Sequence, residues 1–172
     1  PRPHDSRQRV GQVTNIRMKE VEKKIKNNLR YFTGKFIQSY PMYSSRTVKG
    51  KPLFMYARGG QVVSSPKREV NVESLKFYKI KKISSQKFLD NIERRVAKVK
   101  GDFRQEEILR IWRKELKSNP KHADGFLVAN FHIKCGSGTY VRGISNSLGE
   151  KIGIPALALS IKRTKIGKWS KM

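Results

Sequence analysis

Hydrophobic residues recur at helical spacing near the start of the chain, with Lys and Glu between them. Steps of three or four residues separate Met18, Val21, Ile25, Leu29 and Phe32. This spacing puts them on one face of an α-helix, and the polar residues on the other. The pattern predicts a helix that Asn15 caps and that Gly34 follows.

The middle of the chain changes pattern several times. Helical periodicity fails from Phe36, and a short helix is predicted at about 52–58, ended by Gly59-Gly60. Partial alternation predicts two strands, 69–72 and 74–83. Two amphipathic helices should follow, on either side of Gly101-Asp102. Their apolar residues are Phe88, Leu89, Ile92, Val96 and Val99 in the first, and Ile108, Ile111, Trp112 and Leu116 in the second.

The clearest strand is predicted at 126–134, where apolar and polar residues alternate. A Gly-rich turn at 135–139 then leads into a helix that presents Val141, Ile144, Leu148 and Ile152 on one side. The last segment, 156–169, alternates small and apolar residues. These elements predict the α+β class, with a mixed or antiparallel sheet and flanking helices.

Domain organisation follows from the same patterns. Residues 1–15 are polar and aperiodic, and we expect a polar arm or a truncated edge there. Residues 16–172 have the length of one ordinary domain. The two helices at about 85–120 are rich in Lys and Arg, and we expect them to be an insertion on that domain.

Charge narrows the choice of partner. The chain carries 39 Lys+Arg and 13 Asp+Glu, a formal net charge of +26, so a polyanion should bind it. A membrane is disfavoured, because no apolar stretch approaches the roughly 20 residues that span a bilayer. The basic residues are also spread along the chain instead of lying on one amphipathic helix. Nucleic acid is therefore the expected partner, and no membrane partner is expected.

The cysteine and histidine content excludes other chemistry. Cys135 is the single cysteine, so neither an internal disulfide nor a multi-thiolate zinc site can form. The three histidines, at 4, 122 and 132, are scattered, and we expect no metal site. No signal peptide is recognisable at the polar start of the chain. These features predict a reducing compartment, either the cytoplasm or an organellar matrix, and not secretion.

Three segments in order along the chain carry a resemblance to a known family. Segment 38–59 reads Q-S-Y-P-M-Y-S-S-R-T-V-K-G-K-P-L-F-M-Y-A-R-G, segment 135–142 reads C-G-S-G-T-Y-V-R, and segment 161–169 reads I-K-R-T-K-I-G-K-W. Together they resemble the TruB family of tRNA pseudouridine synthases. The resemblance implies the C-terminal half of the synthase domain, and hence part of the pseudouridine synthase fold.

Several positions depart from the family pattern. Tyr40 replaces a Pro, Thr47 a Lys, Gly136 a Ser and Ser147 an Asp. The family's catalytic aspartate block, G-x-L-D-P-x-A-x-G, is not found in these residues, nor are its base-stacking Tyr block and its PUA domain. Residues 4–13 resemble an eroded T-D-T-x-D-x-x-G segment, with Gln8 at an acidic position. We therefore expect this chain to be inactive by itself.

The resemblance implies roles for particular residues, and it implies no metal or organic cofactor. Arg142 corresponds to the ion-pair partner of the catalytic aspartate. Without that aspartate we expect it to reach solvent or RNA phosphate, because a buried unpaired charge is costly. The uridine-pocket candidates are Tyr140, Ile161, Tyr43 and Gln38. The RNA-phosphate candidates are Arg46, Lys49, Lys51, Arg58, Lys162, Arg163 and Lys165.

Ordinary structural roles remain open for most of these residues. Arg142 could be a solvated helix-surface arginine, Tyr140 and Ile161 could pack in the core, and Tyr43 could pack on Pro41. The basic residues could form a solvated face. Cys135 and His132 are interpreted as packing or surface residues.

Two functions stay open. The chain is either the RNA-binding portion of an enzyme that isomerises a uridine of the tRNA T arm, or a non-catalytic relative. In the second case it would bind tRNA or rRNA as a component of a ribonucleoprotein such as an organellar ribosome, with other subunits as partners. An unrelated ribosomal or DNA-binding protein would explain the charge, but not three ordered motifs.

Overall fold

The computed structural model describes residues 18–118, 122 and 124–170. The predicted arm and the predicted cap Asn15 lie outside these residues. The first element is helix α1, Met18–Asn28, which continues into a 3₁₀ turn, Leu29–Phe32. The helix predicted from the first hydrophobic pattern is thus confirmed, with a tighter last turn.

A strand that the pattern did not predict comes next. Strand β1 spans Gly34–Ser39. In it Ile37 is 62% exposed whereas Gln38 is only 8% exposed. Because the apolar residue faces solvent and the polar one is buried, hydrophobic alternation could not reveal this strand.

The main sheet has three strands in the order β1-β4-β5. Strand β4 is Lys67–Ile83 and strand β5 is Phe126–Cys135. β1 pairs antiparallel with β4, from Gly34 opposite Val72 to Ser39 opposite Lys67. With the flanking helices this is an α+β fold, as predicted.

The two strands predicted at 69–72 and 74–83 are one continuous strand of 17 residues. Its inward positions change phase along its length. Val70 and Val72 are buried at even positions, whereas Leu75 and Phe77 are half-buried at odd positions. This change of phase made one strand look like two.

A small hairpin and a short helix follow β1. Strands β2, Thr47–Val48, and β3, Lys51–Pro52, pair around Lys49 and Gly50, which both have positive φ. Two residues at positive φ are the mark of a type I′ turn. Helix α2, Leu53–Arg58, then buries Leu53 and Ala57, which confirms the helix predicted there.

Helices α3, Ser85–Val96, and α4, Gln105–Ser118, confirm the predicted pair. Phe88 contacts Trp112 edge-on at 5.6 Å and stacks on Phe126 at 4.6 Å. An ion pair of 2.7 Å joins Arg113 to Glu93 across the two helices. Val99, assigned to the first helix, lies beyond its end and is exposed. That the pair is an insertion stays a prediction.

Helix α5, Val141–Lys151, confirms the helix predicted after the Gly-rich turn. The alternation seen in 156–169 forms little regular structure. Its only strands in the described chain are the two-residue pair β6, Lys165–Ile166, and β7, Trp169–Ser170. Among the described residues, no helix is long and apolar enough to cross a membrane.

The chain divides into two compact units. The described part of unit 1 is 28–75 and 133–170, and that of unit 2 is 18–27, 76–118, 122 and 124–132. Each unit has its own apolar core. The buried residues of unit 1 include Leu53, Ala57, Val70, Val72, Ile144, Leu148 and Ile152, and those of unit 2 include Val21, Ile25, Phe88, Leu89, Leu116 and Phe126.

Candidate functional site

A side chain of β1 holds the start of α5 in unit 1. The Gln38 amide nitrogen donates to the Tyr140 carbonyl at 3.0 Å, and the Tyr140 backbone N–H donates to the Gln38 amide oxygen at 2.9 Å. Gln38 is 8% exposed, so water competes little for either bond. The two bonds fix the residue that leads into the helix.

A small residue in α5 makes room for this clamp. A Cβ on Gly143 would lie 3.0 Å from the Gln38 amide nitrogen and 3.7 Å from the Tyr140 Cβ. These distances leave little space for any side chain larger than that of glycine. Glycine at position 143 therefore allows the Gln38 side chain to pack against the start of α5, although Gln38 is about a hundred residues away in the chain.

A further arginine, Arg68 of β4, lies against the Gly-rich turn before α5. Gly138 has φ +80°, and a Cβ there would lie 2.0 Å from Nη1 of Arg68. The guanidinium therefore rests against the backbone of the turn. Sequence analysis missed Arg68. Its only signal is structural, since it stands opposite Gln38 in the β1–β4 register.

Two tyrosines and an arginine form a contact layer beside the clamp. The rings of Tyr140 and Tyr40 meet edge-on at 5.5 Å, and the Arg46 guanidinium lies 5.3 Å from the Tyr40 ring centre. Both tyrosines are half-buried. Tyr40 was noted only as a departure from a family proline, yet it joins two predicted site residues.

Arg142 occupies the first turn of α5 and is exposed. One Nη donates to the Tyr43 carbonyl at 3.5 Å, the outer limit of a hydrogen bond. Within the described chain, no carboxylate forms an ion pair with Arg142. Its role as the partner of an aspartate or of an RNA phosphate stays a prediction.

The loop and hairpin at 40–58 carry four of the predicted phosphate ligands. Backbone bonds from Leu53 to Arg46, 2.8 Å, and from Phe54 to Ser44, 3.2 Å, hold the loop on α2. Arg46, Lys49 and Arg58 are exposed and Lys51 is half-buried. Besides Arg46 on Tyr40, two of them rest on aromatic rings, Lys51 on Tyr56 at 5.2 Å and Arg58 on Phe54 at 5.3 Å.

The C-terminal segment carries the remaining predicted site residues. Ile161 is 47% exposed and lies outside any strand, so it is not a core residue. Lys162, Arg163 and Lys165 are exposed beside it. Among the described residues, no hydrogen bond or ring contact joins Ile161 to Tyr140. Its place in a uridine pocket stays a prediction.

The electrostatics of this region favour an anion. Arg142 lies in the first turn of α5, where the helix dipole adds partial positive charge. Arg46 and Arg68 supply two more guanidinium groups, which match the geometry of phosphate oxygens. The described residues contain no group of three His, Cys, Asp or Glu side chains that could hold a metal ion. The positive charge beside the tyrosine rings is of the kind that attracts an anion.

Comparison with known proteins gives the class and then the family. The family model described as TruB family pseudouridylate synthase (N terminal domain) matches residues 3–101. The tRNA pseudouridine synthase B of Staphylococcus saprophyticus is 32% identical over 145 residues, which cover 84% of this chain. The enzyme of the same name from Ligilactobacillus salivarius is 31% identical over 157 residues, 90% of this chain.

The class of protein defined by these matches is the pseudouridine synthases. Within that class, the chain belongs to the TruB family, as the three motif segments predicted. The matches cover only 35% of the S. saprophyticus protein and 40% of the L. salivarius protein.

Proposed function

We propose that this chain is the RNA-binding portion of a TruB-like synthase that isomerises a uridine of the tRNA T arm. The observation that carries the proposal is the Gln38–Tyr140 clamp. It fixes the turn from which Arg142 emerges, exposed and without a carboxylate partner in the described chain. The names of the two relatives above support tRNA as the RNA and pseudouridine formation as the reaction.

Each site residue then takes a role that its surroundings allow. Arg142 pairs with the catalytic aspartate of the whole enzyme or with an RNA phosphate. Tyr140 offers its ring to the target nucleotide. Both hydrogen bonds of the Gln38 amide described above go to the backbone of Tyr140, so we assign Gln38 as a positioning residue and not as a contact to uridine.

The basic residues around the site account for affinity. Arg46, Arg68 and Lys49 are exposed in unit 1, and none of them forms an ion pair with an acidic side chain of the described chain. Such cations bind phosphates and release counterions, which makes binding weaken as salt rises. Recognition of a stem-loop depends on its shape and on an unpaired base, because side chains cannot read the narrow major groove of an RNA duplex.

Catalysis requires a group that these residues do not supply. The family's aspartate block is not found in this sequence, and Arg142 cannot replace a carboxylate. We therefore expect this chain to bind the T arm without converting its uridine.

A non-catalytic ribonucleoprotein component is the second candidate. The altered positions Gln8, Thr47 and Ser147 and the formal net charge of +26 favour it. In that case rRNA is the ligand, and other protein subunits cover part of the surface.

The test is equilibrium binding of a T-arm stem-loop transcript, measured from low to moderate salt. A blunt RNA duplex with the same number of phosphates serves as the control ligand. We expect tighter binding of the stem-loop, a steep decline with salt, and no pseudouridine in the recovered RNA. Equal affinity for both RNAs would contradict recognition of the T arm. Tighter binding of an rRNA fragment would favour the second candidate.

A further inference from the structure

Strand β4 exposes an aromatic ring in unit 2 that is not among the residues of the candidate site. Tyr78 is 65% exposed. Its neighbour Phe77 is half-buried and its ring meets that of Phe131 at 5.8 Å. Consecutive side chains of a strand point to opposite faces, so Tyr78 lies on the face away from this pair.

The ring contact also relates the two strands. Because Phe77 of β4 and Phe131 of β5 meet on one face, their neighbours project from the other. That second face carries Lys76 and Tyr78 from β4, and Asn130 and His132 from β5. We call these four residues the Tyr78 face, and all four are exposed.

The chemistry of this face suits an unpaired nucleotide. An exposed tyrosine ring is a stacking surface for a base, and stacking tolerates any base identity. Lys76 supplies positive charge for a phosphate, and the Asn130 amide can donate to and accept from a base edge. Lys79 and Lys81, also exposed on β4, lie on the opposite face of the strand and do not belong to the Tyr78 face.

Charge also selects among possible occupants. A second copy of this chain also carries a formal net charge of +26. It would therefore be repelled by Lys76 and by the rest of the chain. A polyanion with flat aromatic groups complements both the ring and the cation. Single-stranded RNA has both features.

We propose that the Tyr78 face binds single-stranded RNA by stacking one unpaired base on Tyr78 while Lys76 contacts a phosphate. The proposal rests on the proposed RNA binding of the chain, but it concerns a different surface and different residues. It assigns a second RNA contact in unit 2, besides the one at Arg142 in unit 1.

The experiment compares four variants of the full chain on a short single-stranded oligouridine and on an RNA duplex. Tyr78→Ala removes the ring, whereas Tyr78→Phe keeps it. Lys76→Ala and Lys79→Ala remove the same charge from opposite faces of one strand. Loss of one stacked base corresponds to at least a fivefold weaker affinity.

We expect Tyr78→Ala to weaken oligouridine binding at least about fivefold, and Tyr78→Phe to bind like the parent protein. Lys76→Ala should weaken binding more than Lys79→Ala does. Duplex binding should change little with either Tyr78 variant. Photocrosslinking of bromouridine-substituted oligonucleotide to the parent protein should label the peptide that contains Tyr78, a result that does not depend on how any variant folds.

Equal oligouridine binding by Tyr78→Ala and the parent protein, or crosslinks confined to other peptides, would contradict RNA binding by the Tyr78 face. If T-arm binding by the parent persists in that case, the proposed function survives. If the parent binds neither oligouridine nor the T arm, both proposals fail. Self-association that Tyr78→Ala abolishes would identify a second copy as the occupant and would also overturn the inference.

Discussion

Gln38 and Tyr140 are joined by two hydrogen bonds between a buried side-chain amide and the backbone of one residue. Replacing Gln38 by Leu would leave the N–H and C=O of Tyr140 without this partner. We expect the free energy of unfolding to fall by about 1–3 kcal/mol, because unsatisfied polar groups are costly when desolvated. Urea denaturation of the parent protein and Gln38→Leu measures this loss.

A matched glutamine provides the control for that change. Gln61 is exposed, so Gln61→Leu should change the free energy of unfolding by no more than about 0.5 kcal/mol. Equal losses for the two variants would mean that the clamp does not stabilise the protein.

Arg142 should matter to RNA binding more than an arginine of the helical pair. Arg94, on α3 in unit 2, is likewise exposed, and Arg94→Ala removes the same charge. Arg142→Ala should weaken T-arm binding about tenfold, as expected for the loss of a charge-assisted contact worth about 1.5 kcal/mol. Arg142→Lys should fall between the two, because Lys cannot form the paired hydrogen bonds of a guanidinium. Filter binding at fixed salt measures all three, and equal effects of the two Ala variants would remove Arg142 from the site.

Gly138 should link stability to RNA binding through Arg68. Alanine at this position meets a strained positive φ and collides with the Arg68 guanidinium. Gly153→Ala is a matched control, since Gly153 has φ +73° and nothing within 4 Å of an added Cβ. Both variants should lose on the order of 1 kcal/mol of stability. Only Gly138→Ala should weaken RNA binding, as measured by filter binding at fixed salt. An equal loss of RNA affinity in Gly153→Ala would contradict a role for Arg68 in the site.

Tyr31 should titrate below the usual range of tyrosine. A hydrogen bond and the charge of Arg30 lower the pKa of Tyr31 from 10.0, and the charge of Lys151 lowers it further. The Arg30 Nη lies 3.2 Å from the phenol oxygen, and the Lys151 ammonium lies 3.8 Å from the ring centre. Arg30→Gln should therefore raise the pKa of Tyr31 towards 10.0.

The sign of the effect on stability follows from the lowered pKa. The folded state releases the Tyr31 proton at a lower pH than the unfolded state does, so this contribution is fully present above pH 10.0. It is lost as pH falls through the folded value. Phenolate absorbance of the parent protein minus that of Tyr31→Phe isolates this titration, and a difference curve unchanged by Arg30→Gln would contradict the assignment.

Local patterns in the sequence sufficed for the helices and for the α+β class. Helical spacing located α1, α3, α4 and α5, because each has an apolar side that packs. Strand β1 escaped because Ile37 is exposed and Gln38 is buried. Gln38 can be buried because its side-chain amide forms hydrogen bonds with the backbone of Tyr140. Tyr140 is distant in sequence, so no local pattern shows that Gln38 has this partner.

The site was predictable only where a motif marked it. Segments 38–59 and 135–142 resemble the family, and the structure joins them through Gln38 and Tyr140. Arg68 and Tyr40 could not be found this way. Arg68 reaches the site by strand register, and Tyr40 by a ring contact with Tyr140. Both depend on tertiary pairing, which no local pattern encodes.

Amide hydrogen exchange with and without a T-arm stem-loop tests the central claim most directly. If the turn at 136–143 and the loop at 40–46 form the RNA site, saturating RNA should slow exchange in both segments. Exchange at 97–104, between α3 and α4, should change much less. Protection that leaves 136–143 unchanged while RNA is bound would contradict the account.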